Sequence, residues 1–221
     1  PQAKFLMENV RMKKEFEEYI TFHTQEALGK VNKHLVNSAL VSAQNRKRFY
    51  WTNIDGIEQP KDQGLVLSDI LMDGHVDRDK SHCLDANYFK GGNPKSYFGK
   101  SRRQLVFDRP CELKDFDPKA ECHHVATATD INGHDSIKRV YADSGKSPTI
   151  NTMGGGNREP KVLVSDLIPT YRKLRPCECE ALQTFPIGYT EGISNSQRYK
   201  CLGNSFTVSV VSHILNYAFS S

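Results

Sequence analysis

The chain has 221 residues, enough for one ordinary domain with a real core, or for one small domain plus a piece of another. With 38% hydrophobic and 25% charged residues and a mean hydropathy of -0.58, it reads as a globular chain. No apolar run is long enough to span a bilayer and no signal peptide is visible, so an intracellular, cytoplasmic setting is expected. The net charge of +4 fits a polyanionic partner without requiring one, and the six cysteines follow no spaced framework, which favours reduced thiols over disulfides.

Phe5 to Val10 has the pattern of a strand, and Met12 to Leu28 that of a helix with Phe16, Ile20 and Ala27 near one face. Gly29 is placed to stop that helix. Two extended runs follow, His34 to Leu40 and Phe49 to Asn53, separated by the basic connection Gln44-Asn45-Arg46-Lys47-Arg48. Strand, helix, strand, loop, strand is the pattern of an α/β layer. Because the first strand begins almost at once, the expectation is a chain that starts in mid-fold and is part of a larger unit.

From about Asp55 to Ser165 the texture changes to short segments punctuated by Gly, Pro, Asn and Asp, the signature of a loop-rich module with short strands. Leu65 to Leu71 suggests a helical turn or two near its start. Regularity returns at Pro176, where proline in a first turn beside acidic residues starts a helix that Pro186 ends. The last segment, Thr207 to Phe219, sets Val208, Val211, Ile214, Leu215 and Ala218 at helical spacing. Gly203-Asn204-Ser205 stands just before it, which predicts a small polar turn at a positive helix end.

Taken singly, the polar residues have ordinary readings. Glu8 fits a strand-end carboxylate pairing with a lysine, and Arg46 and Arg48 fit a solvated basic turn. Asn204 and Ser205 fit a helix N-cap. Gly154-Gly155-Gly156-Asn157-Arg158 fits an anion-binding nest and a plain turn equally well. Cys122-His123-His124 with Cys111 upstream lacks the paired-ligand spacing of a closed zinc site, so no metal is expected.

Read in order, however, Glu8-Asn9-Val10, Gln44 to Arg48, Arg172 to Pro186, and Gly203-Asn204-Ser205 before an apolar helix resemble the C5-cytosine DNA methyltransferase family. The resemblance covers essentially the whole chain, and Val41 to Ile54 and Gly145 to Val162 look most like its phage and prophage branch. It implies an α/β fold: the second half of a Rossmann-like S-adenosylmethionine-dependent domain, plus a small loop-rich target-recognition domain. The implied division is residues 1–56 in the catalytic domain, 57–190 in the recognition domain, and 191–221 returning to the catalytic domain.

In this family the target cytosine is flipped out of double-stranded DNA. A cysteine thiolate then adds to C6, which makes C5 nucleophilic toward the methyl group of S-adenosylmethionine. The resemblance puts Glu8 beside N3 and the exocyclic amine, and Arg48 at O2, with Arg46 orienting the loop or contacting Glu8 and the DNA backbone. Asn204 and Ser205 would meet the cofactor, whose carboxylate suits the amides of a helix start. Gln44, Lys90, Arg102, Arg103 and Arg158 would contact DNA. Arg175, Glu178, Leu182, Gln183 and Phe185 would pin a helix rather than react, which leaves Pro176-Cys177 outside the chemistry.

The family's Gly-rich cofactor loop and Pro-Cys nucleophile loop lie upstream of its Glu-Asn-Val strand. The expectation is therefore a C-terminal half, with a complementing N-terminal half or subunit bringing the nucleophile. The alternative is a catalytically silent DNA-binding or regulatory module. Ala43 stands where many members have proline, which removes no chemical group.

Overall fold

The computed structural model describes residues 3–111, 124–142, 159–163 and 169–219. Strands β1 (Leu6–Val10), β2 (Asn32–Asn37) and β3 (Lys47–Thr52) form a sheet in the order β1-β3-β2, with β3 antiparallel to both neighbours. The outer strands therefore run parallel, and helix α1 (Lys14–Leu28) makes the crossover that parallel strands require. Gly29 ends α1 at φ 79°, a conformation that favours glycine.

Alternation along each strand gives the sheet two faces. The register aligns Glu8, Tyr50 and His34 in one row, so these share a face with Val36 and Arg48. Helix α6 (Val208–Phe219) covers that face, burying Val210 and Ile214 against Val36, Tyr50 and Ile54. On the opposite face Trp51 Nε1 donates to Thr21 Oγ1 of α1 at 2.8 Å. Of the apolar stripe expected on α1, Ile20 is half-buried while Phe16, at 56%, and Ala27 are exposed, with Tyr19 and Phe22 exposed nearby.

Between the sheet and the C-terminal helices the chain forms small units. Helix α2 (Pro94–Lys100) precedes β4 (Leu105–Phe107). Strands β5 (His124–Thr127), β6 (Arg139–Ala142) and β7 (Lys161–Leu163) form a second sheet, with the short helix α3 (Asp135–Lys138) leading into β6. Strand β8 (Tyr171–Lys173) returns to pair antiparallel with β4 and closes this region on itself. The helical turn expected near Leu65 is a 3-10 turn over Leu67–Ile70, and a second covers Tyr88–Lys90.

Helices α4 (Pro176–Leu182) and α5 (Asn195–Asn204) join this region to the first sheet. One core cluster takes Ala43 from the β2–β3 connection, Leu67, Leu84, Tyr88 and Val106 from the middle, and Leu174, Cys179, Leu182, Tyr199 and Leu202 from around these helices. The polar turn expected at Gly203-Asn204 is instead the last turn of α5, and the break before α6 falls at Ser205 to Thr207. Packing decides this: α5 buries Tyr199, Leu202 and Gly203, and at Gly203 a Cβ would lie 2.3 Å from the Asp85 carbonyl group. Only glycine permits that approach of helix to backbone.

Candidate active site

Glu8 lies on β1 directly opposite Tyr50, and Arg48 lies two residues before Tyr50 on β3. The two are diagonal neighbours on one face, within side-chain reach. Arg48 Nε is 3.3 Å from Glu8 Oε1 and Arg46 Nε is 4.0 Å from the same oxygen. Burial pushes the Glu8 carboxyl above the usual carboxylate range, against the opposing pull of Arg46 and then Arg48. The same burial, reinforced by the charge of Glu8, raises the Tyr50 phenol. Glu8 Oε1 and Arg46 Nε are both buried and, among the described residues, neither has a hydrogen-bond partner. Orphaned polar atoms of this kind are uncommon in folded proteins and call for an explanation.

The connection that carries Arg46 is built to hold it. Asn37 Oδ1 accepts from the Ala39 amide at 3.2 Å and from the Arg46 amide at 3.0 Å, folding the connection back on itself. Lys80 Nζ donates to the carbonyls of Ala39 and Ser42 at 2.7 and 3.2 Å. Arg46 is 4% exposed. Its Nη1 donates to Leu84 O at 3.0 Å and to Cys83 Sγ at 3.5 Å, and its Nη2 donates to Ser205 O at 2.6 Å. One guanidinium thus joins the first sheet, the segment around residue 84, and the turn before α6.

Arg48 has fewer fixed partners. Nη1 donates to Lys47 O at 3.0 Å and Nη2 to Cys83 Sγ at 3.6 Å. Cys83, half-buried and unsuspected from the sequence, therefore touches both arginines. A lone cysteine in a loop carries no spacing signal, so only the folded chain brings it into view.

Gln44, expected at the DNA, faces the interior, and this corrects the sequence reading. It is fully buried; its Nε2 donates to Leu182 O at 2.8 Å and Gln183 Oε1 at 3.0 Å, and its Oε1 accepts from the Leu84 amide at 3.3 Å. With these groups engaged, it braces α4 against the Arg46 connection. Gln183 extends the network by donating to Leu202 O at 2.8 Å and accepting from Thr207 Oγ1 at 3.0 Å.

Asn204 is exposed and Ser205 half-buried, with Ser205 Oγ donating to Leu202 O at 2.8 Å. The first amides of α6 are already engaged: Val208 N–H by Gln183 O at 2.9 Å, and Ser209 N–H by Thr184 Oγ1 at 2.8 Å. The Ser205 amide and carbonyl are likewise engaged, by Cys201 O at 2.9 Å and Arg46 Nη2 at 2.6 Å, so what this turn offers a ligand is the Asn204 side-chain amide, the Ser205 hydroxyl oxygen and the exposed ring of Phe206. An amide beside an apolar ring suits one edge of a nucleoside-bearing amino acid such as S-adenosylmethionine.

Lys90 and Arg102 are exposed and Arg103 is half-buried. Asp85 Oδ2 lies 3.7 Å from Arg102 Nη2 and 3.9 Å from Arg103 Nε, while Arg103 Nη1 donates to Gly91 O at 2.9 Å. Lys90 and Lys200 both lie over the Phe89 ring, making the surface around the Tyr88–Lys90 turn cationic. Arg158, the Gly154 to Asn157 run, and Cys122 and His123 lie outside the described residues. In the 172–186 segment, Glu178 is buried and held by Arg172 through contacts of 2.8 and 2.9 Å, and it accepts from the amides of Arg175 and Met72 at 2.7 and 3.0 Å. Burial raises the Cys179 thiol well above its usual range.

The fold is a mixed α/β methyltransferase fold. It resembles a Spodoptera frugiperda DNMT2 variant with a TM-score of 0.55 at 21% identity, covering 98% of this chain and 66% of that one. An Entamoeba histolytica methyltransferase, EhMeth, gives a TM-score of 0.53 at 15% identity, covering 98% of this chain and 62% of that one. The family model for C-5 cytosine-specific DNA methylase matches residues 1–220, and the chain belongs to that family. The family's methyl donor is S-adenosylmethionine. Among relatives, the orphan methyltransferase M.SPBetaI of Bacillus phage SPbeta is 37% identical over 134 aligned residues, covering 38% of this chain and 30% of the relative. The match thus spans under a third of that relative's length.

Proposed function

We propose that this chain forms the base-holding and target-recognition part of a DNA cytosine-5 methyltransferase. The observation that carries the reading is the convergence of the Glu8 carboxyl and the Arg48 guanidinium, 3.3 Å apart on one sheet face, with a carboxyl oxygen left without a hydrogen-bond partner. The reading divides the chain into a catalytic portion at 1–56, a recognition portion at 57–190, and a return to the catalytic portion at 191–221. The catalytic portion is the second half of a Rossmann-like domain.

The chemistry follows from what each group offers an extruded cytosine. A protonated carboxyl donates to N3 through one oxygen and accepts from the exocyclic amine through the other, and burial raises the pKa of Glu8 toward that form. Thymine reverses both polarities, so the same carboxyl selects against it. As a thiolate adds to C6, electron density moves toward N3, and a donor at that atom stabilises the addition. Arg48, loosely held, turns toward O2 and neutralises charge there, while Arg46 stays buried and fixes the geometry.

Asn204, Ser205 and Phe206 would hold one edge of S-adenosylmethionine, which would supply the methyl group. The thiol and the body of the cofactor pocket come from residues outside this segment, on the same polypeptide or on a complementing chain. Lys90, Arg102 and Arg103, with Arg158 by its sequence position alone, would contact the phosphates of double-stranded DNA, where cations fix register without reading sequence.

The test is methyl incorporation into unmethylated DNA by the enzyme that carries this segment, with bisulfite sequencing of the product. Glu8→Gln keeps a neutral donor and acceptor but cannot pass a proton to N3, and is expected to lower kcat by about 10²–10⁴-fold, the usual contribution of a positioned acid, with DNA binding retained. Arg48→Ala is expected to impair methylation far more than Lys47→Ala. Unchanged methylation in Glu8→Gln removes the assigned role, and DNA binding with no cytosine methylation selects a silent recognition module instead.

A further inference from the structure

The base clamp contains a group that neither the family strings nor the mechanism above uses. Cys83 Sγ lies 3.5 Å from Arg46 Nη1 and 3.6 Å from Arg48 Nη2, and its own S–H points at Leu84 O, 3.6 Å away. That carbonyl also accepts from Arg46 Nη1 at 3.0 Å. The sulfur and the carbonyl after it therefore face the two guanidiniums that flank Glu8.

The segment bearing Cys83 is tied to the cationic surface as well as to the clamp. Ser81 exchanges backbone hydrogen bonds with the Arg46 connection, accepting from the Asn45 amide at 2.9 Å and donating to Ala43 O at 2.7 Å. Two residues beyond Cys83, Asp85 meets Arg102 and Arg103, and its backbone packs against Gly203. The thiol stands where the recognition surface, the base clamp and the turn before α6 meet.

We propose that Cys83 is a positioning residue of the base clamp, holding the Arg48 guanidinium in a waiting orientation from which it turns to the extruded base. The proposal rests on the methyltransferase reading. A thiol suits the task because sulfur is a weak acceptor. Arg48 has three neighbours around its plane, Glu8, Lys47 O and Cys83 Sγ. A sulfur contact orients the guanidinium yet gives way when a better acceptor, the pyrimidine O2, arrives. A hydroxyl at this position still offers Arg48 a neutral, releasable acceptor, whereas a carboxylate would trap it in a charge-assisted pair about twice as strong as a neutral one.

The experiment uses the complete enzyme on unmethylated phage genomic DNA, with kcat and KM measured for the unsubstituted protein and for Cys83→Ala, Cys83→Ser and Cys83→Asp. Extrusion is read separately by fluorescence of a 2-aminopurine placed at the methylated position found by bisulfite sequencing. Cys83→Ala is expected to lower kcat by about threefold to tenfold with little change in KM for DNA, and Cys83→Ser to restore most of the loss. Cys83→Asp is expected to lower kcat by roughly 10²-fold while the 2-aminopurine signal persists, because the base leaves the duplex but meets a trapped arginine.

Should Cys83→Asp fail to fold, the Ala and Ser pair decides the matter, with thermal denaturation showing that both are intact. Equal kcat in all folded variants overturns the positioning role and leaves the methyltransferase reading standing. Equal losses in kcat and in thermal stability for Ala and Ser reduce Cys83 to a packing residue and also overturn it. No methylation by the unsubstituted enzyme removes both proposals.

Discussion

Replacing Arg46 by alanine tests whether this residue is the structural joint of the site. The side chain donates to two carbonyls from distant segments, Leu84 O at 3.0 Å and Ser205 O at 2.6 Å, and is 4% exposed. A hydrogen bond involving a charged group contributes about 1.5–3 kcal/mol net, so two give roughly 3–6 kcal/mol. Removing the charge also leaves Glu8 with Arg48 as its close cation, but it relieves the desolvation of a buried guanidinium, and breaking such a buried pair costs about 3–5 kcal/mol overall. The expected loss is therefore about 3–5 kcal/mol, a large fraction of a typical domain's stability. Trp51, the only tryptophan in the chain and fully buried on β3, reports unfolding of the sheet directly in a urea titration. Arg46→Lys keeps the charge but cannot span both carbonyls, and should fall between alanine and the parent. A loss under about 1 kcal/mol for Arg46→Ala would show that the joint lies elsewhere.

Three further outcomes follow from the same contacts. Because the folded-state pKa of Glu8 is raised, its stabilising contribution is complete below its ordinary value of 4.5 and is lost as pH rises through the folded value. Glu8→Gln should thus gain stability relative to the parent between acidic and neutral pH, read from denaturation midpoints across that range; a steady deficit at neutral pH would mean the arginines outweigh burial. Burial, followed by the charge of Arg78, pushes His82 down to about 4. Stability tied to His82 is present above pH 6.5 and lost as pH falls through about 4, so His82→Phe should flatten the stability profile across that interval; an unchanged slope would reject the assignment. Gly203→Ala would bring a methyl within 2.3 Å of the Asp85 carbonyl group, and should cost at least the roughly 1–3 kcal/mol typical of overpacking, at about 2–4 °C in Tm per kcal/mol for a chain of this length. An unshifted Tm would show that α5 and the Asp85 backbone separate freely.

Much of this architecture could be read from periodicity, and the exceptions have physical causes. The strands at Leu6–Val10 and Lys47–Thr52 and the final helix carry dense apolar patterns, so local sequence and tertiary burial agree there. Helix α5 does not: its buried face rests on Tyr199, Leu202 and a glycine, too few apolar positions to register as a stripe. The stripe of Phe16, Ile20 and Ala27 on α1 was legible, yet only Ile20 is half-buried and the other two are exposed, because sequence periodicity shows that a face is apolar and not what covers it. Gln44 was misplaced for a similar reason. A polar residue in a basic loop suggests solvent, and only the carbonyl ends of α4 and the Leu84 amide explain why an amide side chain is buried there.

The clamp itself depends on a balance that no single residue type announces. Two guanidiniums beside a carboxylate would normally lower its pKa, and here burial outweighs them. The geometry explains how: Arg46 stands at 4.0 Å with its Nη groups committed to backbone carbonyls, and Arg48 shares its guanidinium among Glu8, a carbonyl and a thiol. Neither arginine forms a bidentate pair with Glu8, in contrast to Arg172, which grips Glu178 through both of its Nη groups. The same two residue types thus serve two ends in one chain. Where the pair is closed, the carboxylate holds a helix in place; where it is left open, a protonatable carboxyl remains free to meet a base edge.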